Sequence, residues 1–148
     1  MIQGFELTEE YVQFFDEIKS WEEATRLSAK PLLDGGKVKQ SYIDGMIESI
    51  NEYGPYIVIA PNIALPHARP ETGSLEIAFS VMKLKNPVSF SEDGQSDASL
   101  FIALSCVDST RHIEMLQSIV MILSDEEKHD ALFAATTKEE ILKIFNNN

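Results

Sequence analysis

The chain has almost no cysteine. Cys106 is the only one, so no intrachain disulfide can form, and a disulfide-stapled secreted scaffold is excluded. A reducing, cytoplasmic setting is the expectation that follows. The start Met1-Ile2-Gln3-Gly4-Phe5-Glu6-Leu7 carries neither a basic stretch nor an apolar one, so it does not read as a signal peptide. No apolar run approaches the ~20 residues of a membrane span, and any link to a membrane has to pass through another protein. Linkers rich in Gly, Ser or Pro are missing, as are repeats of fixed period. The 148 residues therefore read as one domain, 1-148. Basic residues are scarce as well. There are 12 Lys and Arg against 24 Asp and Glu, a net charge of -12. Such a surface repels nucleic acid and anionic lipid, and it suits a basic protein partner.

Several chemistries lack their residues. There is no Gly-rich phosphate loop, no cysteine pair, no HExxH helix and no G-x-S-x-G elbow.

What is present reads as alternating helix and strand. Ser20-Trp21-Glu22-Glu23 has the form of a capping box, so a helix should begin at Trp21. Pro31 should bend its last turn, and Gly35-Gly36 should end it. Ile43, Met46, Ile47 and Ile50 share one face of a second helix, Ser41 to Tyr53, which Gly54-Pro55 stops. Tyr56 to Ala60 is a β-branched run that reads as a buried strand, broken by Pro61-Asn62. Leu75 to Leu84 alternates in part and reads as another. Asn86-Pro87 should turn the chain ahead of a short edge strand, Val88 to Phe90. Leu100 to Val107 is nearly continuously apolar, as a strand buried on both faces would be, and it holds Cys106 as an inert, buried thiol. Residues 111–123 form an amphipathic helix, Leu132 and Phe133 suit a short one, and Thr137-Lys138-Glu139-Glu140 is a second capping box. Asn146-Asn147-Asn148 should fray. The expected fold class is α/β, a mixed sheet flanked by helices on both faces.

Only three histidines occur, so each can be weighed singly. His67 lies among Pro61, Pro66 and Pro70, which hold the segment out of a helix and give it a stiff path. An imidazole fixed in this way is either a nucleophile or ligand, or a loop histidine bonded to a backbone carbonyl. His112 follows Asp108-Ser109-Thr110-Arg111, which makes it a first-turn residue near a helix end that favours anions. It also shares a stripe with Leu116 and Ile119, so a partly buried histidine at the edge of a core is the other reading. His129, in a charged run, reads as solvated.

The segment Gly54-Pro55-Tyr56-Ile57-Val58-Ile59-Ala60-Pro61-Asn62-Ile63-Ala64-Leu65-Pro66-His67-Ala68-Arg69-Pro70-Glu71 resembles the active-site segment of enzyme IIA proteins of the bacterial phosphoenolpyruvate-dependent sugar phosphotransferase system, mannitol/fructose type (type 2). Ser20 to Ala24, Tyr42 to Met46, and His112 with its helix also look like this family. The resemblance implies that His67 receives phosphate from the phosphocarrier protein HPr and gives it to a cysteine of enzyme IIB. It implies that His112 sits beside His67 and helps to hold the phosphoryl group. No metal or organic cofactor is implied, and the membrane is reached only through enzyme IIC. The chain departs from mannitol-type members in one respect. They carry an arginine in the helix before the active strand, where this sequence reads Glu48-Ser49-Ile50-Asn51-Glu52. Arg69, Arg111 or the helix start at Ser109 and Thr110 is left to supply the positive charge. With Gly54-Pro55-Tyr56, this looks like the ascorbate-type branch. Ile63 and Leu65 are expected on the docking face, with Glu71 at its rim. A regulatory module of the same fold and a metal-dependent hydrolase are the alternatives.

Overall fold

Local sequence signals set most of the element ends. The computed structural model describes residues 1–146, in the order β1 (Val12–Phe15), α1 (Trp21–Asp34), α2 (Gln40–Tyr53), β2 (Val58–Ala60), β3 (Asn62–Ala64), β4 (Ala78–Ser89), β5 (Asp97–Ser105), α3 (Ser109–Ser124), α4 (Glu126–Ala134) and α5 (Lys138–Asn146). Both capping boxes form. The Ser20 hydroxyl accepts from the Glu23 amide at 3.2 Å. Thr137 and Glu140 cap each other, with Glu140 N–H donating to Thr137 Oγ1 at 3.3 Å and Thr137 N–H donating to Glu140 Oε1 at 3.2 Å. Pro31 has no N–H to give the carbonyl one turn back, that of Leu27. The Gln13 side-chain amide, from β1, donates to that carbonyl at 2.8 Å and fills the gap.

The five strands form one mixed sheet in the order β1-β4-β5-β3-β2. β4 and β5 are antiparallel, while β1 on β4 and β3 on β5 are parallel. Register gives each face its helices. Ser80 and Met82 point to one side, where the Ser80 hydroxyl donates to the Ser28 carbonyl of α1 and Met82 packs near Ala24 and Ile50. Val81 and Lys83 point to the other. There Lys83 Nζ donates to the Phe133 and Ala135 carbonyls at 2.9 and 2.7 Å, closing the C-terminal end of α4. Met115 and Ile119 of α3 and Phe145 of α5 belong to the larger core. Helices thus cover both faces, as expected.

Three expectations are corrected. Pro87 does not end a strand. β4 runs through it to Ser89, and the register slips between Lys83 and Val88, a bulge that accommodates a residue without an N–H. β2 begins at Val58, not Tyr56, and Tyr56 lies in the turn before it. Asn146 is the last residue of α5. Its side chain accepts from Leu7 N–H at 3.0 Å and donates to Leu7 C=O at 2.8 Å, while Asn147 and Asn148 lie outside the described residues. β1 was not expected at all. Cys106 is buried as expected, with burial pushing its thiol up to about 11.

Tyr42 ties the layers together where β5 ends. Its ring is 1% exposed. Its hydroxyl donates to the Leu104 carbonyl at 2.6 Å and accepts from the Ala68 amide at 3.2 Å. Tyr42→Phe leaves both groups buried without a partner, and the expected loss is roughly 2–4 kcal/mol in urea denaturation. A loss below about 0.5 kcal/mol would contradict this accounting.

Candidate active site

The segment after β3 is short of donors, since Pro66 and Pro70 have no N–H, and several of its remaining backbone groups have specific partners. Leu65 N–H donates to Ile57 C=O at 2.8 Å, and Pro66 C=O accepts from Leu104 N–H at 2.9 Å. His67 C=O accepts from the Tyr56 hydroxyl at 2.9 Å. Ala68 N–H is held by Tyr42. Arg69 C=O accepts from the Thr72 amide and hydroxyl, at 3.0 and 2.6 Å, inside the single-turn helix Pro70–Thr72. Four separate parts of the chain therefore fix where His67 stands.

The ring is fixed too. Nδ1 of His67 lies 2.6 Å from the Leu65 carbonyl oxygen. A carbonyl can only accept, so Nδ1 carries the proton, and the lone pair of the neutral ring is on Nε2. The two readings of His67 are thus compatible. It is a loop histidine bonded to a backbone carbonyl, and that bond is what leaves a nucleophilic nitrogen. Tyr56 meets the ring edge-on, with centroids 5.4 Å apart and planes at 89°.

His112 stands on the opposite wall, its ring centroid 4.9 Å from that of His67. The sequence placed these two residues 45 positions apart, and the fold makes them neighbours. Burial holds His67 below the ordinary imidazole range. The Leu65 carbonyl pulls the other way, and His112 adds to the lowering. His112 is lowered by burial alone. Both rings are therefore neutral at neutral pH.

The two histidines share a cleft of 550 Å³ with Ser49, Tyr53, Tyr56, Arg69, Ser109 and Ile113. Of the four residues expected near a phosphate, Arg69 and Ser109 line it, while Thr110 and Arg111 do not. Among the described residues the Arg69 guanidinium has no ion pair. The start of α3 is a weaker source of positive charge than expected, because the Asp108 carboxylate already accepts from the Arg111 amide at 2.7 Å. Ile63 and Leu65, expected on a docking face, are buried. The exposed apolar residues beside the cleft are Tyr53, Tyr56 and Ile113 instead. His129 is half-exposed and packs against Phe133, away from the cleft. Sequence reasoning missed Ser49, Tyr53 and Tyr56 as site residues. The only signal was the i, i+4 spacing of Ser49 and Tyr53 on α2, which puts both on one helix face.

Known proteins resemble the chain over nearly its whole length. The family described as "Phosphoenolpyruvate-dependent sugar phosphotransferase system, EIIA 2" matches residues 6–148. The ascorbate-specific PTS system EIIA component of Escherichia coli is 34% identical over 131 residues, 88% of this chain and 85% of that protein. The crystal structure of a PTS IIA protein (PtxA) from Streptococcus mutans superposes with a TM-score of 0.85 at 32% identity, covering 97% of this chain and 94% of that one. The solution structure of the mannitol-specific cryptic phosphotransferase enzyme IIA CmtB from Escherichia coli gives 0.87 at 31% identity, with 96% of each chain covered. With the match running over nearly its whole length, the chain belongs to the EIIA 2 family of the phosphoenolpyruvate-dependent sugar phosphotransferase system.

Proposed function

We propose that the chain is a phosphoryl carrier that accepts phosphate from HPr on Nε2 of His67 and passes it to a cysteine of enzyme IIB for coupled sugar uptake. The observation that carries this reading is the bond from His67 Nδ1 to the Leu65 carbonyl, which leaves Nε2 as the free nucleophile beside a second histidine and an unpaired arginine. Phosphoryl transfer asks a protein for in-line positioning and compensated charge rather than for covalent work of its own. Each piece has a candidate here. His67 attacks, with the phosphorus–oxygen or phosphorus–nitrogen bond to the donor breaking as the Nε2–P bond forms. His112 and the Ser109 hydroxyl can hydrogen-bond the equatorial oxygens, and Arg69 can supply charge. The chain is acidic overall, which suits a basic donor. The resemblance to ascorbate-specific relatives supports a sugar acid of that class as the transported substrate. Membrane contact would come only through enzyme IIC, and no helix of the described residues is long and apolar enough to cross a membrane. The hydrolase alternative is less well supported, since no group of three His, Cys, Asp or Glu suited to a metal ion comes together among the described residues.

Incubation with phosphoenolpyruvate, enzyme I and HPr, followed by intact mass measurement, is the direct test. One acid-labile phosphoryl group is expected on the wild type and on His112→Ala, and none on His67→Ala. A labelled His67→Ala chain would overturn the assignment.

The pH dependence has a definite sign. The pKa values of both histidines are lowered from 6.5, so the folded chain binds fewer protons than the unfolded one just below that value. Their contribution to stability is complete above about pH 6.5 and is lost as pH falls toward the lowered values. The same proton removes the Nε2 lone pair. Phosphoryl uptake should therefore be flat from about pH 8 to about pH 6.5, with its acid midpoint below that of free imidazole. A midpoint above about 6.5, in a stopped-flow or quench series, would contradict the burial argument.

Arg69→Ala should slow uptake by about tenfold through loss of a charge-assisted contact, and Arg69→Lys should recover only part of it, because an ammonium cannot fork across two phosphate oxygens. Unchanged uptake in Arg69→Ala would place the charge compensation elsewhere.

A further inference from the structure

The backbone contacts of the Leu65–Arg69 segment are not all of one kind. Leu65 N–H, Pro66 C=O and Ala68 N–H bond to groups of the fold's interior, at Ile57, Leu104 and Tyr42. The carbonyl of His67 itself depends on a side chain that is 40% exposed, that of Tyr56. Tyr56 touches His67 twice, since its hydroxyl donates to the carbonyl and its ring meets the imidazole edge-on. Ser49 of α2 lines the same cleft. The turn that brings Tyr56 there needs Gly54, which has φ 85 and accepts from the Tyr56 amide at 2.8 Å. Burial raises the Tyr56 pKa, with Ser49 partly offsetting it, so the phenol remains a donor through neutral pH.

We infer that Tyr56 is a positioning residue that holds the His67 imidazole with Nε2 turned into the cleft. The constraint is a three-point one. The Leu65 carbonyl holds Nδ1, the Tyr56 hydroxyl holds the backbone, and the Tyr56 ring blocks rotation of the imidazole out of the cleft. The first contact selects the tautomer. The other two keep the ring where that tautomer is useful, because a carbonyl free to tilt would carry Cα, and with it the ring, off the in-line direction. Ser49 and Tyr53 bring α2 into the wall of the same cleft.

This inference rests on His67 as phosphoryl acceptor for its kinetic readout and is independent of it for its spectroscopic one. Tyr56→Phe removes one oxygen and keeps the ring. It should lower kcat for uptake from phosphorylated HPr by about fivefold with KM unchanged, the size expected for one lost hydrogen bond. In nitrogen-15 NMR of the unphosphorylated full chain, the slowly exchanging Nδ1–H signal of His67 should broaden, and the second tautomer should appear. Ser49→Ala should move both readouts the same way by about twofold, with Ser49→Thr restoring them. Wild-type kcat with an unaltered Nδ1–H signal in Tyr56→Phe would overturn the inference. If that variant does not fold, the Ser49→Ala and Ser49→Thr pair decides by the same criteria. If the wild type takes up no phosphate at all, the reading of His67 as acceptor fails, and the tautomer signal still decides whether Tyr56 positions the ring.

Discussion

The site depends on one constraint, that a buried backbone poor in donors must still find a partner for every polar group it has. Three prolines surround His67, and they make the segment stiff at the cost of three N–H groups. Leu65 N–H, Pro66 C=O, His67 C=O, Ala68 N–H and Arg69 C=O are paired with β5, with the turn before β2, with α2 and with the single-turn helix at Pro70–Thr72. The Tyr42 hydroxyl is the shared element, because it serves β5 and the His67 segment at once. The position of one imidazole is therefore a property of how four elements pack. The packing that stabilises the sheet end and the packing that aims the histidine are the same contacts.

Electrostatics inside the cleft run opposite to the chain as a whole. The molecule carries a net charge of -12, yet the cleft presents two neutral imidazoles and one unpaired guanidinium. Burial keeps the rings neutral in the empty site, so they do not repel each other across 4.9 Å. A phosphoryl group on His67 would change that balance. An anion beside His112 favours its charged form and draws a proton to it, which strengthens the hydrogen bond just when there is charge to compensate. In the proposed relay the second histidine thus responds to phosphate instead of being a fixed cation. That also makes release to the next carrier less costly than it would be from a permanently charged pair.

The sequence was legible where a signal is local. Ser20, Thr137 and Gly35 set helix ends by hydrogen bonds within a few residues, and each acts as read. The apolar stretch from Leu100 to Leu104 is covered on both faces because no polar residue interrupts it. It was illegible where the partner is distant. β1 is four residues long and exists only because Val12 to Phe15 lie parallel to Val81 to Leu84. The passage of β4 through Pro87 depends on a register slip against β5, which no local pattern encodes. At the site, proline framing and the family resemblance marked His67, and helix capping placed His112 in a first turn. Capping also suggested a free helix end for phosphate, but the same Asp108 that starts the helix occupies it. Tyr56 and Ser49 stayed hidden for a related reason. A tyrosine after a Gly-Pro turn reads as the start of a strand until the turn folds it back onto a residue eleven positions later.

The cleft is also open, and its rim suggests why. Tyr53 is 69% exposed and Ile113 is 55% exposed, on opposite sides of the histidines. A hydrolytic site gains from closing over its substrate with its own lid, because excluded water strengthens every polar contact inside. A carrier with two successive partners cannot keep such a lid, since each partner must reach the same nitrogen. Exposed apolar residues around a small polar floor offer the other solution. In the proposed relay the partner's own surface would cover the rim, water would leave on docking, and the contacts to Nε2, His112 and Arg69 would gain their strength only in the complex. In the proposed relay the undocked chain would hold its histidine correctly aimed but weakly assisted, which would protect a reactive phosphoryl group between partners as much as it prepares the transfer.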